Sequence, residues 1–381
     1  MRIAWVTTGF LKDEKDYGGI AAIHNLAKEL SFSPAIELTV FALYYPVGKE
    51  EYNFYDARVF SLRKKGTLSL NIPKLEKLKS WVKCIKKFNK ENSIKKFDII
   101  HSIWSGESGY IASYLGKKNN IPLVTSICGG EAAEIPEINY GSRLKLFQKY
   151  FVEQTLKQAK VIVSGSDYIS EKLKLYFDKK IYSKVRKIPF GVNEALFYPL
   201  RGTKEISQGI KLINIATAFP VKAHNDLFKA LKIVIEQYPD TILECYGEDK
   251  NNSLKKIVKN MGLDRHVKLN GTIDYDKIPS ALRNADIFVL SSLYESQNMA
   301  VLEAAFCGLP VVSTDAGVSR EITGNIVRPG DYKALAEKII EVIKNSAVNY
   351  SNLYERFSLK NCVQNFIKLY SSLINPEPSQ K

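Results

Sequence analysis

Two glutamates, Glu295 and Glu303, stand with seven residues between them in the stretch Ser291-Ser292-Leu293-Tyr294-Glu295-Ser296-Gln297-Asn298-Met299 and onward to Pro310-Val311-Val312. A strand expected to end at Leu290 leads into a polar loop that carries Glu295. A helix is expected to begin near Asn298 and to stop at Gly308, a residue suited to the position after a helix end, before Pro310 opens another strand. One acid then sits in the loop and the other about one turn into the helix. The amides around Gln297–Met299 would face whatever lies at the helix N-terminus, where free N–H groups and the helix dipole suit a phosphate or diphosphate. A carboxylate one turn in can accept hydrogen bonds from neighbouring hydroxyls, and a ribose diol is the natural candidate. The plainer alternative is that both acids are solvated groups that offset the dipole.

The elements that must position these residues alternate in period. Ile3–Thr7, Glu37–Leu43, Asp98–His101, Pro122–Ile127 and Val161–Ser164 read as strands, and Ile20–Leu30, Lys74–Lys90, Ser108–Lys117, Leu144–Gln158 and Ser170–Phe177 as helices. The second half repeats the scheme, with strands at Ile210–Ala216, Thr241–Tyr246, Val267–Asn270, Ile287–Leu290 and Pro310–Ser313. Its helices are Asp226–Gln237, Ser253–Met261, Ile278–Asn284, Ala300–Cys307 and Tyr332–Asn345. Strands alternating with helices mean βαβ units and parallel sheets, hence an α/β chain. Its 381 residues suit two doubly wound domains. The boundary falls where Pro189-Phe190-Gly191-Val192-Asn193 runs on to Leu200-Arg201-Gly202-Thr203. The expected division is residues 1–190, a linker over 191–205 and residues 206–354, with a helix near 355–374 packing back on the first domain. Open α/β sheets bind ligands outside the carboxyl ends of their strands, so the cleft between two such domains is the expected active site.

Composition narrows the function classes. With 45% hydrophobic and 25% charged residues, the chain is neither disordered nor collagen-like. Five scattered cysteines without a Cys-x-x-Cys pair argue against a zinc ribbon or thiol redox motif and fit a reducing cytosol. The apolar run at the N-terminus is too short for a signal sequence, and no stretch approaches the ~20 apolar residues of a membrane span. A net charge of +15 asks for a polyanion, a membrane, an anionic substrate or plain solubility as its reason. From Arg63 to Lys96 only Glu76 and Glu91 oppose a run of lysines. There Leu75, Leu78, Trp81, Val82, Ile85 and Phe88 are expected to form a core stripe while the lysines attract anionic lipid. Asp274-Tyr275-Asp276 mimics a metal-binding Asp-x-Asp but precedes a helix that one of its aspartates would cap. The four histidines show no metal-ligand spacing, so no metal site is expected. His101 ends a strand facing the expected cleft, where it could meet an acceptor or serve as a satisfied structural histidine.

Glu-x7-Glu followed by Ala-Ala-x-x-Gly-x-Pro-Val-Val resembles the signature of the retaining glycosyltransferases of family 4, whose GT-B fold pairs two Rossmann-like domains. Further stretches match in order. Gly18-Gly19 resembles the family's N-terminal glycine loop, and Phe97-Asp98-Ile99-Ile100-His101 its Asp-Val-Val-His strand. Ile188-Pro189-Phe190-Gly191-Val192-Asn193 with Phe197 and Pro199 resembles its interdomain segment. Pro220-Val221-Lys222-Ala223-His224 resembles its Pro-x-Lys-Gly-His, and Arg328-Pro329-Gly330-Asp331 its Pro-Gly-Asp. The resemblance implies that Glu303 holds the nucleotide ribose, Glu295 contacts the donor sugar, and the amides of Ser296, Gln297, Asn298 and Met299 bind sugar or distal phosphate. Lys222 would neutralise the departing diphosphate, stabilising charge that grows in the transition state. Gly18 and Gly19 would let backbone approach the diphosphate or acceptor, and backbone near Ile273 would touch the base. The chain departs from the family at Thr217, where an arginine is usual, and at Cys128, where a histidine normally touches the donor sugar. Asn298 and Ala223 stand where glycines are usual. Front-face transfer with retention needs no side-chain base, because the leaving phosphate takes the acceptor proton.

The implied protein is a nucleotide-sugar-dependent glycosyltransferase. It would act on a saccharide or lipid-linked acceptor in cell-surface polysaccharide synthesis, in the cytoplasm at the inner face of an anionic membrane. No cofactor is implied beyond the UDP or GDP sugar as co-substrate, and no nucleic acid partner. The rivals are a sugar-nucleotide epimerase or hydrolase on the same fold, a nucleic-acid binder suggested by charge alone, and a catalytically weak binding subunit suggested by Thr217 and Cys128.

Overall fold

Ile3, Ala4, Trp5 and Val6 have no alternating polar face, and only a strand covered on both sides can bury such a run. They form the middle of β1 (Arg2–Gly9), and all four are fully buried. The computed structural model describes residues 1–17, 21–63, 72–199, 209–345, 350 and 352–375. The chain divides into two units, Met1–Gly191 with Leu359–Lys381, and Val192–Ser358. Of the expected linker, residues 200–205 lie outside the described residues.

In the first unit β1 is followed by β2 (Glu37–Tyr45), β3 (Glu51–Phe54), β4 (Ala57–Ser61), β5 (Ile99–Ile103), β6 (Leu123–Ile127), β7 (Val161–Ser164) and β8 (Val185–Lys187). They make one sheet in the order β3-β4-β2-β1-β5-β6-β7-β8. Every pair is parallel except β3 with β4, an edge hairpin that the sequence reading did not foresee. The crossovers are α1 (Ala21–Ser31), α2 (Lys74–Ile94), α3 (Glu107–Asn119), α4 (Leu146–Gln158), α5 (Asp167–Tyr176) and the single-turn α6 (Lys179–Tyr182). Ser166 starts α5 by accepting a hydrogen bond from the Ile169 amide at 3.3 Å.

The second unit contains β9 (Lys211–Ile215), β10 (Ile242–Tyr246), β11 (Val267–Leu269), β12 (Ile287–Leu290), β13 (Val311–Thr314) and β14 (Ile326–Val327), ordered β11-β10-β9-β12-β13-β14 and parallel throughout. Its helices are α7 (His224–Gln237), α8 (Ser253–Asn260), α9 (Ile278–Asn284), α10 (Met299–Phe306), α11 (Tyr332–Lys344) and α12 (Leu353–Phe357). The strand order reverses direction between β9 and β12, a topological switch point at which doubly wound sheets open a crevice. The final helix, α13 (Leu359–Ile374), belongs to the first unit and buries Cys362, Phe366 and Tyr370 in its core.

Two expectations are corrected. Of the expected stripe of α2, Phe88 is buried and Trp81 and Ile85 are half-buried, whereas Leu75, Leu78 and Val82 are exposed; Ser80, Cys84 and Glu91 complete the buried face. Small residues let the helix lie close to the sheet, and Glu91 is drawn inward by Arg58 at 2.8 Å and Lys87 at 3.5 Å. His101, placed on the acceptor side from sequence, is fully buried with both ring nitrogens engaged, Nδ1 with the Tyr370 hydroxyl at 2.7 Å and Nε2 with Ser126 Oγ at 2.8 Å. Burial pushes its pKa down to about 3, so it is a neutral structural group.

The Tyr370 hydroxyl also accepts from Trp5 Nε1 at 3.3 Å and so ties α13 to β1 and β5. Tyr370→Phe should therefore leave two buried polar groups short of a partner and cost about 1–3 kcal/mol. A denaturant titration should show the loss as a lower midpoint; an unchanged midpoint would remove this tie from the account.

Candidate active site

The site is assembled from three loops at the carboxyl edge of the second sheet. After β9 the chain turns through a single 3₁₀ turn, Pro220–Lys222, before α7. After β12 it enters the loop carrying Glu295. Two bonds clamp these loops together: the Leu293 amide donates to the Val221 carbonyl, and Ser291 Oγ donates to the Lys222 carbonyl, both at 2.8 Å. Lys222 Nζ is thereby brought within 2.6 Å of Glu295 Oε1, which also accepts from Ser292 Oγ at 2.6 Å. Glu295 is buried and Lys222 half-buried, so the bond is charge-assisted in poorly solvated surroundings. The third loop follows β13. Thr314 Oγ1 donates to the Ser292 carbonyl at 2.7 Å, and the Val318 amide to the Gln297 carbonyl at 2.8 Å. Gly317 permits this approach: its φ is +61°, and a Cβ there would meet the Gln297 carbonyl oxygen at 2.5 Å.

Glu303 lies in α10, on a helix that is apolar nearly all round, and is buried. Desolvation pushes its carboxyl up to about 7, against a hydrogen bond from the Tyr275 side chain that favours the charged form. Tyr275 itself is buried against Phe197, their ring centroids 5.5 Å apart. It follows Ile273, which is half-buried, by two residues, so the loop expected to touch a base also delivers the partner of the second acid. The flanking aspartates behave otherwise than expected: Asp274 makes no side-chain cap and pairs with Lys277 at 2.6 Å.

The departures at glycine positions have a conformational answer. Asn298 sits at φ +74° and caps α10, its side chain accepting from the Val301 amide at 3.2 Å. Asparagine tolerates this backbone better than most residues and adds a cap that glycine lacks. Ala223 takes φ +48° immediately after Lys222 with no such compensation. Thr217 lies half-buried just after β9 and offers a hydroxyl, not a cation. Ser296 and Met299 are half-buried and Gln297 is buried, with its side-chain amide 3.5 Å from Met299 Sδ. Cys128 belongs to the first unit and packs half-buried against its core. Burial and then the nearby Glu131 carboxylate raise its thiol, so it is no ready nucleophile or base. Gly18 and Gly19 lie outside the described residues.

Residues 201–361 match the model of the family described as glycosyl transferases group 1. A glycosyltransferase of Methanocaldococcus jannaschii, itself uncharacterised, is 24% identical over 326 residues, covering 81% of this chain and 86% of that protein. The UDP-Gal:alpha-D-GlcNAc-diphosphoundecaprenol alpha-1,3-galactosyltransferase of Escherichia coli is 26% identical over 300 residues, covering 74% and 75%. The chain is a glycosyltransferase, and its residues 201–361 carry the group 1 domain. Its fold is GT-B: sucrose-phosphate synthase from Thermosynechococcus elongatus matches it with a TM-score of 0.77 at 18% identity, over 99% of this chain and all of the other.

In this glycosyltransferase the motif residues Lys222 and Glu295 are brought together, and Glu303 follows in the helix that the Glu295 loop leads into. Sequence reasoning missed Ser292, Tyr275, Thr314 and Gly317. Only Tyr275 carried a signal, as the middle of a triplet weighed for its aspartates. His224, quoted in its motif without a role of its own, hydrogen-bonds the Ala216 carbonyl through its imidazole, and burial lowers its pKa to about 4, leaving it neutral beside Lys222.

Glu303 gives the glycosyltransferase a distinct pH signature. Between its unfolded value of 4.5 and about 7 the native state binds more protons than the unfolded chain, so stability falls as pH rises through that window. Glu303→Gln should abolish this fall and leave the ligand-free protein more stable by on the order of 3 kcal/mol at pH 8 than the parent. Denaturant midpoints at pH 5 and pH 8 check it; parallel pH dependence in parent and variant would contradict a protonated buried acid.

Proposed function

We propose that this glycosyltransferase moves a sugar from a nucleoside-diphosphate sugar to a saccharide or lipid-linked acceptor with retention at the anomeric carbon. The observation that carries the reading is the Lys222–Glu295 pair at 2.6 Å, in a loop that leads into the helix of the buried Glu303. Such a donor presents three things to recognise: a diol, a diphosphate and a hydroxyl-rich ring. Ionised Glu303 accepts from the ribose hydroxyls. Lys222 meets the diphosphate. Glu295 keeps the ammonium in place and accepts from hydroxyls of the donor sugar.

The bond between the anomeric carbon and the phosphate oxygen breaks with its electron pair going to that oxygen. The charge that appears there is greater in the transition state than in the bound donor, so a fixed ammonium lowers the barrier and does more than tighten binding. The acceptor hydroxyl attacks from the same face, its oxygen forms the new glycosidic bond, and its proton passes to the departing phosphate oxygen. Nothing in this step calls on Cys128 as a base. Thr217 supplies a hydroxyl to the phosphates where the family's arginine would supply a second cation, so Lys222 bears more of the charge.

A lipid-linked saccharide is the acceptor to test first, as in the name of the Escherichia coli relative. The +15 net charge suits an enzyme working at an anionic cytoplasmic membrane surface in cell-surface polysaccharide synthesis.

Turnover with UDP and GDP sugars should show an α-linked product from an α-linked donor by proton NMR. Lys222→Ala should lower kcat by about 10²–10³-fold with the fold intact. An inverted product, or undiminished turnover in Lys222→Ala, would overturn the proposed mechanism.

A further inference from the structure

Helix α2 turns part of its apolar stripe away from the core. Leu75, Leu78 and Val82 follow the three-and-four spacing of one helix face, and they are 64%, 54% and 49% exposed. Helix α4 does the same at its start: Leu146, Phe147 and Tyr150 share a face and are 86%, 76% and 48% exposed. Isolated exposed apolar residues need no explanation, but two neighbouring helices each presenting a stripe do.

A buried carboxylate ties these helices together. Glu107, the first residue of α3, accepts from Lys77 Nζ of α2 at 2.7 Å and from Gln148 Nε2 of α4 at 3.3 Å. Trp81 of α2 lies edge-on to Phe151 of α4 with centroids 5.6 Å apart. Lys77 lies between Leu75 and Leu78, and Gln148 between Phe147 and Tyr150, so the shared anchor falls within both stripes. Both helices follow parallel strands, α2 after β4 and α4 after β6, and begin at the carboxyl edge of the first sheet. That edge is where an open α/β sheet meets its ligand.

We propose that the outer faces of α2 and α4 form one platform that beds into the interfacial region of an anionic lipid bilayer. This deepens the reading of a lipid-linked acceptor at a membrane surface and rests on it for its purpose. Charge decides the occupant. Lys79, Lys86 and Lys90 of α2 and Lys145 before α4 are exposed alongside the apolar residues. A second copy of the chain docked through the same face would set lysine against lysine in an isologous interface. Lipid phosphates instead pair with the lysines while leucine and phenylalanine enter the acyl boundary and tyrosine stays at headgroup depth.

Flotation of the full-length protein with vesicles of phosphatidylcholine, alone or mixed with phosphatidylglycerol, tests the platform. The parent should bind the mixed vesicles and weaken with added salt. Leu146→Ser with Phe147→Ser should lose about tenfold or more in vesicle affinity. It should keep the parent's circular dichroism and its thermal shift with nucleotide sugar. Lys79→Gln, Lys86→Gln and Lys90→Gln together should lower affinity and flatten the salt dependence. Absence of parent binding, equal binding by the serine variant, or a dimer that this variant dissolves without any vesicle binding would each overturn the platform. Vesicle binding without any nucleotide-sugar binding would instead sink the transfer reading and leave the platform standing.

Discussion

An ammonium and a carboxylate drawn out of water are stable only if they find each other, and Lys222 and Glu295 do so across two loops. Both loops are braced by their neighbours. The turn before α7 is clamped by the Ser291 hydroxyl and the Leu293 amide, and the acid loop is braced from behind by Thr314 and Val318. Breaking such a pair from one side leaves a charge without a partner, which costs more than the pair itself contributes. In the proposed function Glu295 would keep that ammonium placed for a diphosphate, so one contact would fix both the cation and the acid beside the sugar.

The second acid is held at a cost to stability. A carboxyl buried in α10 with one tyrosine hydroxyl for company favours its neutral form, and burial accounts for its rise to about 7. On the proposed reading a ligand diol would supply hydrogen bonds to the charged form, which would couple binding to loss of the proton. Local backbone carries a further cost. Ala223, at φ +48° beside Lys222, occupies a region that an L-residue enters at roughly 1–2 kcal/mol. Such strain collects where geometry matters more than ease of folding.

Much of the fold was legible because the signals were local. Unbroken apolar runs marked the parallel strands, and Gly308 at φ +78° ends α10 where a glycine after the helical pattern implied an end. The motif glutamates were legible because their spacing is tied to one strand–loop–helix unit, β12 to α10, and Lys222 because it sits in a short motif of its own between β9 and α7. What escaped was set by tertiary packing. No pattern separates the outward stripe of α2 from a core stripe, since the choice was made by Cys84, Phe88 and the ion pairs of Glu91. His101 reads equally as an acceptor contact or a structural histidine until Tyr370, far away in sequence, takes its Nδ1. Ser292, Thr314 and Gly317 are ordinary residue types whose roles come from three loops meeting.

Calorimetric titration of UDP and GDP near pH 7, repeated in buffers of different ionisation enthalpy, measures the coupling between ligand and buried acid most directly. A diol held by ionised Glu303 predicts net proton release on binding that vanishes in Glu303→Gln. The same proton balance in parent and variant, or nucleotide affinity untouched by that substitution, would contradict it.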